Sequence, residues 1–313
     1  MINTQGHLTI ARPGPLSTLQ DAGRFGVRHL GVSQGGPADL YAWAWANWLV
    51  GNQWGSSALE ITLGGLSLTT NHPCTLALAG APMQAHINGQ PQENWQSFTL
   101  YPKQQLTLAM AKQGLRSYLA IAGGFCAPTI LGSTACVVRD GLGGHQGDGR
   151  PLAAADELAF IIDSQRISNR QLSLEQLPDY QSVLSLPVIL GAQSRHFDNE
   201  SLLALFEKPW QVDPRSDRMG IRLQGSLLHC KKASPISEGI PLGSIQVPPD
   251  GQPIVLLNDR QTIGGYPRLG TLPPLACAQL AQCRPGQTVR FVATTSVAAM
   301  QGYRAFREQL NHA

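Results

Sequence analysis

The residues best suited to chemistry gather in one stretch, 215–268. It holds Arg215-Ser216-Asp217-Arg218-Met219-Gly220, then Ser237-Glu238-Gly239, then Gly243-Ser244-Ile245-Gln246-Val247-Pro248-Pro249. It closes on Asp259-Arg260-Gln261-Thr262-Ile263-Gly264-Gly265-Tyr266-Pro267. A guanidinium is a permanent cation carrying a planar fork of N–H donors. Arg218 and Arg260, with Arg24 far upstream, therefore suit the paired oxygens of a carboxylate or phosphate. Asp217, Asp259, Asp39 and Glu60 can orient such forks or move a proton. Gln246 and Gln261 each offer an amide to a carbonyl edge. Acids and amides beside Gly and Pro are also ordinary turn chemistry, where they only satisfy backbone. Several such groups in one stretch favour a site, and the expectation is that they converge on one pocket.

Other chemistries find no pattern. No Ser-His-Asp or Cys-His arrangement can be placed from spacing, so covalent catalysis is not assigned. The eight histidines are dispersed, without H-x-x-x-H or a Cys/His cluster, and no metal site is assigned. Gly35-Gly36 before Asp39 has the makings of an anion cradle at a helix start. The chain lacks G-x-x-x-x-G-K-[ST], and no G-x-G-x-x-G follows a strand, so neither common nucleotide-phosphate motif is present. His145, in the Gly-rich run 141–150, could serve as a base or ligand, but a lone loop histidine reads first as solvated.

Composition narrows the class. The net charge is +3 and 14% of the 313 residues are charged. That gives no basic footprint for nucleic acid and no polybasic patch for a membrane. So few charges also favour a permanent protein partner. No apolar run is long enough to span a bilayer, and the N-terminus does not read as a signal peptide. Six cysteines without a C-x-x-C pair read as reduced thiols, and the expected location is cytoplasmic.

The elements that must hold these residues are mainly strands. Residues 40–50 form the clearest helix, with Asp39 as its cap, Gly51-Asn52 as its stop, and Trp43, Trp45 and Trp48 as packing anchors. From 59 to 121 the apolar period is two, in many short segments, which argues for a sandwich or barrel. Asn88-Gly89 marks a hairpin. Glu60 lies in an apolar strand and needs a partner, for which Arg24 is the candidate. Polar residues 163–187 read as a linker, giving two β-rich domains over 1–180 and 181–313. Short helices are expected over 197–206 and 277–283, and a last one over 297–310.

With these motifs in hand, the chain resembles the family of 5-oxoprolinase C subunits. That family is also described as allophanate hydrolase subunit 2-like, biotin-dependent carboxyltransferase-like, or the antagonist of a sporulation kinase inhibitor. The resemblance runs over about 8–291. It is carried by Thr18-Leu19-Gln20-Asp21-x-Gly23-Arg24, Asn47-x-Leu49-Val50-Gly51-Asn52, Leu59-Glu60 and Tyr118-Leu119-Ala120-x-Ala122-Gly123-Gly124. It continues in Ser216-Asp217-Arg218-Met219-Gly220, Ser237-Glu238-Gly239, Gly243-Ser244-Ile245-Gln246-Val247-Pro248 and Asp259-Arg260-Gln261-Thr262-x-Gly264-Gly265-Tyr266-Pro267. Two loops depart from the family: Gly35-Gly36-Pro37-Ala38-Asp39 replaces Ser-Gly-Ala-x-Asp, and the Gly-Gly-x-x-Gly-Arg loop is lengthened here into 143–150.

The resemblance implies a mainly β fold with a few helices, including a cyclophilin-like β-barrel in the C-terminal domain. It implies one component of an ATP-dependent 5-oxoprolinase, which hydrolyses the lactam 5-oxo-L-proline to L-glutamate. The A-like and B-like proteins of that enzyme would be its partners, and ATP would belong to the complex. Asp217, Arg218, Asp259 and Arg260 would then be catalytic. Arg24, Asp39, Glu60, Gln246 and Gln261 would bind substrate. The family also admits a regulatory protein that sequesters a kinase inhibitor, and a carboxyltransferase component of urea or acyl-urea metabolism.

Overall fold

The computed structural model describes residues 5–162, 170–231 and 236–312. Residues 1–4, part of the N-terminus read for a signal, and 163–169, part of the expected linker, lie outside the described residues. The chain packs as two compact units, Met1–Phe25 with Gly35–Tyr180, and Gly26–Gln34 with Gln181–Ala313. Both are mainly β, with four α-helices among the described residues.

The first unit is a sandwich of two antiparallel sheets. One runs Glu157–Ile161, Gln5–Pro13, Leu66–Thr70, Gln105–Leu108, Ala85–Ile87, Gln90–Gln92 in spatial order. The other runs Leu16–Gln20, Ala58–Thr62, Arg116–Ile121, Cys74–Gly80, Ser97–Leu100. The period-two pattern turns one row of each strand inward. Leu8, Ile10, Leu68 and Leu106 of the first sheet join Leu59, Ile61, Leu78, Leu119 and Ile121 of the second in one core. Asn88 and Gly89 both take positive φ (49° and 85°), as the expected tight hairpin demands. Helix α1 (Leu40–Leu49) starts where Asp39 accepts the Ala42 N–H at 3.0 Å. It is apolar nearly all round and correspondingly buried, with Trp43 and Trp45 fully enclosed. Trp48 is half-buried and lies under the Arg170 guanidinium, 4.8 Å from its ring.

The second unit is a closed barrel of seven strands. Its order is Leu184–Leu190, Arg268–Thr271, Ser244–Gln246, Ile254–Leu256, Gly220–Gln224, Trp210–Val212, Thr288–Ala293. The ring closes through a parallel pairing of the first and last of these. Leu186, Val188, Ile221, Leu223, Ile245, Val255, Val289 and Phe291 are buried. Helices α2 (Asn199–Glu207), α3 (Pro274–Leu280) and α4 (Ser296–His312) belong to this unit. Each begins within three residues of the start expected for it. Asp198 caps α2 by accepting the Ser201 N–H at 2.7 Å, and Pro opens α3 at a position where a missing N–H costs nothing. The segment Gly26–Gln34, though near the start of the chain, packs with this barrel unit.

Candidate functional site

The barrel unit gathers the arginine and amide side chains. The chain leaves the strand Ile254–Leu256 through Leu257-Asn258 and turns at Asp259-Arg260, both buried. Arg218, just before the strand Gly220–Gln224, reaches Asp259 with two prongs: Nε to Oδ2 at 2.8 Å and Nη2 to Oδ1 at 2.9 Å. Asp217 is exposed on a turn, where Oδ1 accepts the N–H groups of Met219 (2.8 Å) and Gly220 (3.2 Å).

Arg260 is almost wholly enclosed, yet its three nitrogens meet neutral acceptors. Nε donates to the Ile240 carbonyl (3.0 Å), Nη1 to the Leu257 carbonyl (3.0 Å), and Nη2 to Gln34 Oε1 (3.1 Å). Burial, and then the nearby Arg28, bring its pKa down to about 10. It therefore stays charged near neutral pH. Arg28 donates from Nη2 to the carbonyls of Ile240 (2.8 Å), Gln261 (3.1 Å) and Thr262 (3.2 Å). Burial lowers its pKa also.

The two glutamines meet at Gly264. A Cβ on that glycine would lie 3.0 Å from Gln246 Nε2, 3.5 Å from Gln261 Nε2 and 2.4 Å from Ile240 Cδ1. Only a residue without a side chain lets Ile240 and the Gln246 amide approach so closely, while Gln261 stands at ordinary contact distance. Cys277 is buried beside Arg260, and burial pushes its thiol up to about 12, so it is a neutral packing group rather than a nucleophile.

Arg24, Asp39 and Glu60 belong to the sandwich unit, where the protein itself occupies their polar atoms. Glu60 Oε2 accepts the Ala38 N–H (2.9 Å) and the Tyr118 O–H (2.6 Å), and the Arg116 guanidinium stands 3.6 Å from Oε1. The loop after Gly35-Gly36 thus does hold an anion on a backbone N–H, and the anion is the protein's own Glu60 carboxylate. Tyr118 also accepts the Asp39 N–H at 2.7 Å. Arg24, expected beside Glu60, donates to the carbonyls of Ile130 (3.1 Å), Ala135 (2.6 Å) and Ser133 (3.3 Å). Glu60 takes Arg116 because their strands are neighbours in the sheet, a pairing made across 56 positions of sequence.

The solvated reading of His145 is corrected. Its ring is buried, with Nε2 3.0 Å from Asp156 Oδ2. Arg150 forms the true fork on Asp156, at 3.0 and 2.8 Å. Among the described residues no group of His, Cys, Asp and Glu is arranged to hold a metal ion. No helix among them is long and apolar enough to cross a membrane. A groove of about 310 Å³ elsewhere on the barrel is lined by Asp213, Arg215, Arg222, Gln224, Asp250 and Gln252. Its buried acid is already matched: Asp213 Oδ2 takes Arg215 at 2.7 Å and Gln224 at 2.6 Å. The arginine–glutamine cluster, with more buried cations than acids, is the stronger candidate.

The β-sandwich and closed-barrel units belong to a carboxyltransferase-like protein by family likeness. The chain belongs to the carboxyltransferase domain family, subdomain A and B, whose model matches residues 30–293. It is 39% identical over 309 residues to the C subunit of 5-oxoprolinase from Escherichia coli, covering 97% of each chain. It is 34% identical over 280 residues to the C subunit of 5-oxoprolinase from Haemophilus influenzae, covering 89% of this chain and 88% of that one. It also matches the crystal structure of the K. lactis urea amidolyase with a TM-score of 0.92 at 25% identity. That match takes in 98% of this chain but spans only 20% of the amidolyase.

Proposed function

We propose that this chain is the C subunit of an ATP-dependent 5-oxoprolinase, opening the lactam of 5-oxo-L-proline to L-glutamate together with A-like and B-like partners. The observation that carries the reading is likeness over nearly the whole length to two proteins of that name, at 39% and 34% identity. The chemistry of the barrel cluster agrees with it. A lactam is a poor electrophile, and phosphorylating its oxygen with ATP would create an anionic, activated carbonyl species. Arg260 offers a buried cation for such oxygens, in surroundings where charge is weakly screened. Gln246 and Gln261 offer amides to the lactam edge. Arg218 is held in place by Asp259 and supports the turn that carries Arg260. ATP is assigned to the complex and the cytoplasm to its location.

Reconstitution tests this reading. The purified chain should lack ATPase activity alone. Mixed with folded A-like and B-like partners, it should give ATP turnover that depends on 5-oxoproline. A folded, assembled mixture with no such turnover contradicts the proposal.

A second reading rests on the urea amidolyase likeness, which includes 27% identity to the Lachancea kluyveri enzyme over 93% of this chain. In it the chain is a carboxyltransferase component handling a urea-like carbonyl. Carboxyl transfer from a biotinylated partner to urea, with no turnover of 5-oxoproline, is the outcome that would favour it.

A further inference from the structure

Arg28 appears in none of the motifs above, yet it is joined to the barrel cluster by three bonds. Its Nη2 and the Nε of Arg260 both donate to the one carbonyl of Ile240, at 2.8 and 3.0 Å. Two guanidiniums on a single oxygen repel each other, and a carbonyl supplies no net charge to offset them. The acid next to Arg260 in sequence, Asp259, acts on Arg260 only weakly and is engaged by both prongs of Arg218. Glu238, next along the strand from Gly239, is taken by Arg268 at 3.1 Å and by Gln193 at 2.6 Å. The other terminal nitrogen of Arg28, Nη1, is buried with no hydrogen-bond partner among the described residues. A cationic donor left in this state is costly unless something fills it. The turn whose carbonyls Arg28 holds is exposed at Ile263 and Tyr266 and carries the Gln261 amide.

We propose that Arg28 and Arg260 form a clamp for the carboxylate of a small carboxylic acid, and that this clamp makes the site selective for anionic over neutral ligands. The unused Nη1 of Arg28 supplies the donor, Arg260 the second cation, and the glutamines the neutral contacts that position the rest of the molecule. A carboxylate placed there relieves the repulsion between the two guanidiniums, part of which appears in the lowered pKa of Arg260. The clamp rests on the reading that the barrel cluster is the substrate site. Arg28 is assigned as a binding residue, not as a group that moves protons.

The ligand can be changed without touching the protein. Calorimetry on the full chain, or KM in the reconstituted complex, compares 5-oxoproline with 2-pyrrolidinone, the same lactam without its carboxylate. The wild-type protein should prefer 5-oxoproline on the order of thirtyfold or more, the usual effect of losing one partner of a buried ion pair. Arg28→Met should remove most of that preference, and Arg28→Lys should restore part of it. Equal affinity of the wild-type protein for the two lactams overturns the clamp, as does an Arg28→Met protein with the same preference as wild type. A nitrogen-labelled chain titrated with acetate, the bare carboxylate, separates this claim from the assigned reaction. Movement of the Arg28 guanidinium resonances supports the clamp even if no lactam is turned over. Resonances that stay fixed at saturating acetate overturn it even if 5-oxoproline is hydrolysed.

Discussion

Arg218 and Asp259 lie 41 positions apart in sequence and meet as a buried two-pronged ion pair, at 2.8 and 2.9 Å. The pair fixes the turn that delivers Arg260. Removing one partner leaves the other as an uncompensated buried charge, which costs about 3–5 kcal/mol. Arg218→Met and Asp259→Asn should each destabilise the protein by an amount of that order in urea unfolding. The double variant should lose clearly less than the two single losses added together, because neither charge is then stranded. Strictly additive losses would show that the pair is not coupled.

Gly264 is the second point of leverage. A methyl group there would press on Ile240 Cδ1 and on Gln246 Nε2. Gly264→Ala should cost about 1–3 kcal/mol through overpacking. It should lower turnover in the complex by more than this loss of stability accounts for, since it moves a proposed substrate contact. Unchanged kcat and KM would remove the glutamine pair from the site.

In the sandwich unit, Tyr118 bridges Glu60 and the start of α1. Its hydroxyl donates to Glu60 Oε2 and accepts from the Asp39 N–H. Burial, then the charges of Glu60 and Asp39, raise its pKa well above the ordinary value, so it remains a neutral donor. Tyr118→Phe should cost about 1–3 kcal/mol, the penalty for unmade buried hydrogen bonds. Thermal unfolding measures it, and a melting temperature equal to wild type would contradict the bridge.

His145 gives the fold a pH dependence. Burial lowers its pKa below the ordinary 6.5, and this outweighs the pull of Asp156; Arg150 acts with burial, and Asp148 with Asp156. The unfolded chain therefore takes up a proton at this position before the folded one does. Stability should fall as pH drops through the range just below 6.5. Asp156 adds to the loss at lower pH. Burial alone would raise its carboxyl, but Arg150 and the Ala153 N–H hold it below 3.8. Melting temperatures measured from pH 7.5 to 5 should show the step in the wild-type protein and a smaller one in His145→Gln. Identical curves would rule out this assignment.

Local features of the fold were legible in the residues, and pairings across long stretches of chain were not. Helix α1 could be read because Asp39, the Trp-Ala run and Gly51 act within one short segment. Asn88-Gly89 named its own hairpin, since few residues accept positive φ twice in succession. The mutual approach of Gln246 and Gln261 lay inside one motif-rich stretch. Arg116 went unread as a neighbour of Glu60 because strand order, not sequence proximity, brings it there. Arg28 was missed for a similar reason: the segment Gly26–Gln34 packs with a barrel whose strands begin at Leu184. A lone arginine between Val27 and His29 gives no sequence signal of that. His145 is buried beside Asp156 within a glycine-rich loop that composition alone reads as open.

The most direct test of the account is ATP turnover in the complete assembly with both partners, compared between the wild-type chain and Arg260→Met. The account predicts 5-oxoproline-dependent turnover that requires this chain and falls by about a hundredfold or more when the buried cation is removed, as for loss of one electrostatic contact to a developing charge. Equal turnover with Arg260→Met, in a variant that folds and assembles normally, would contradict it.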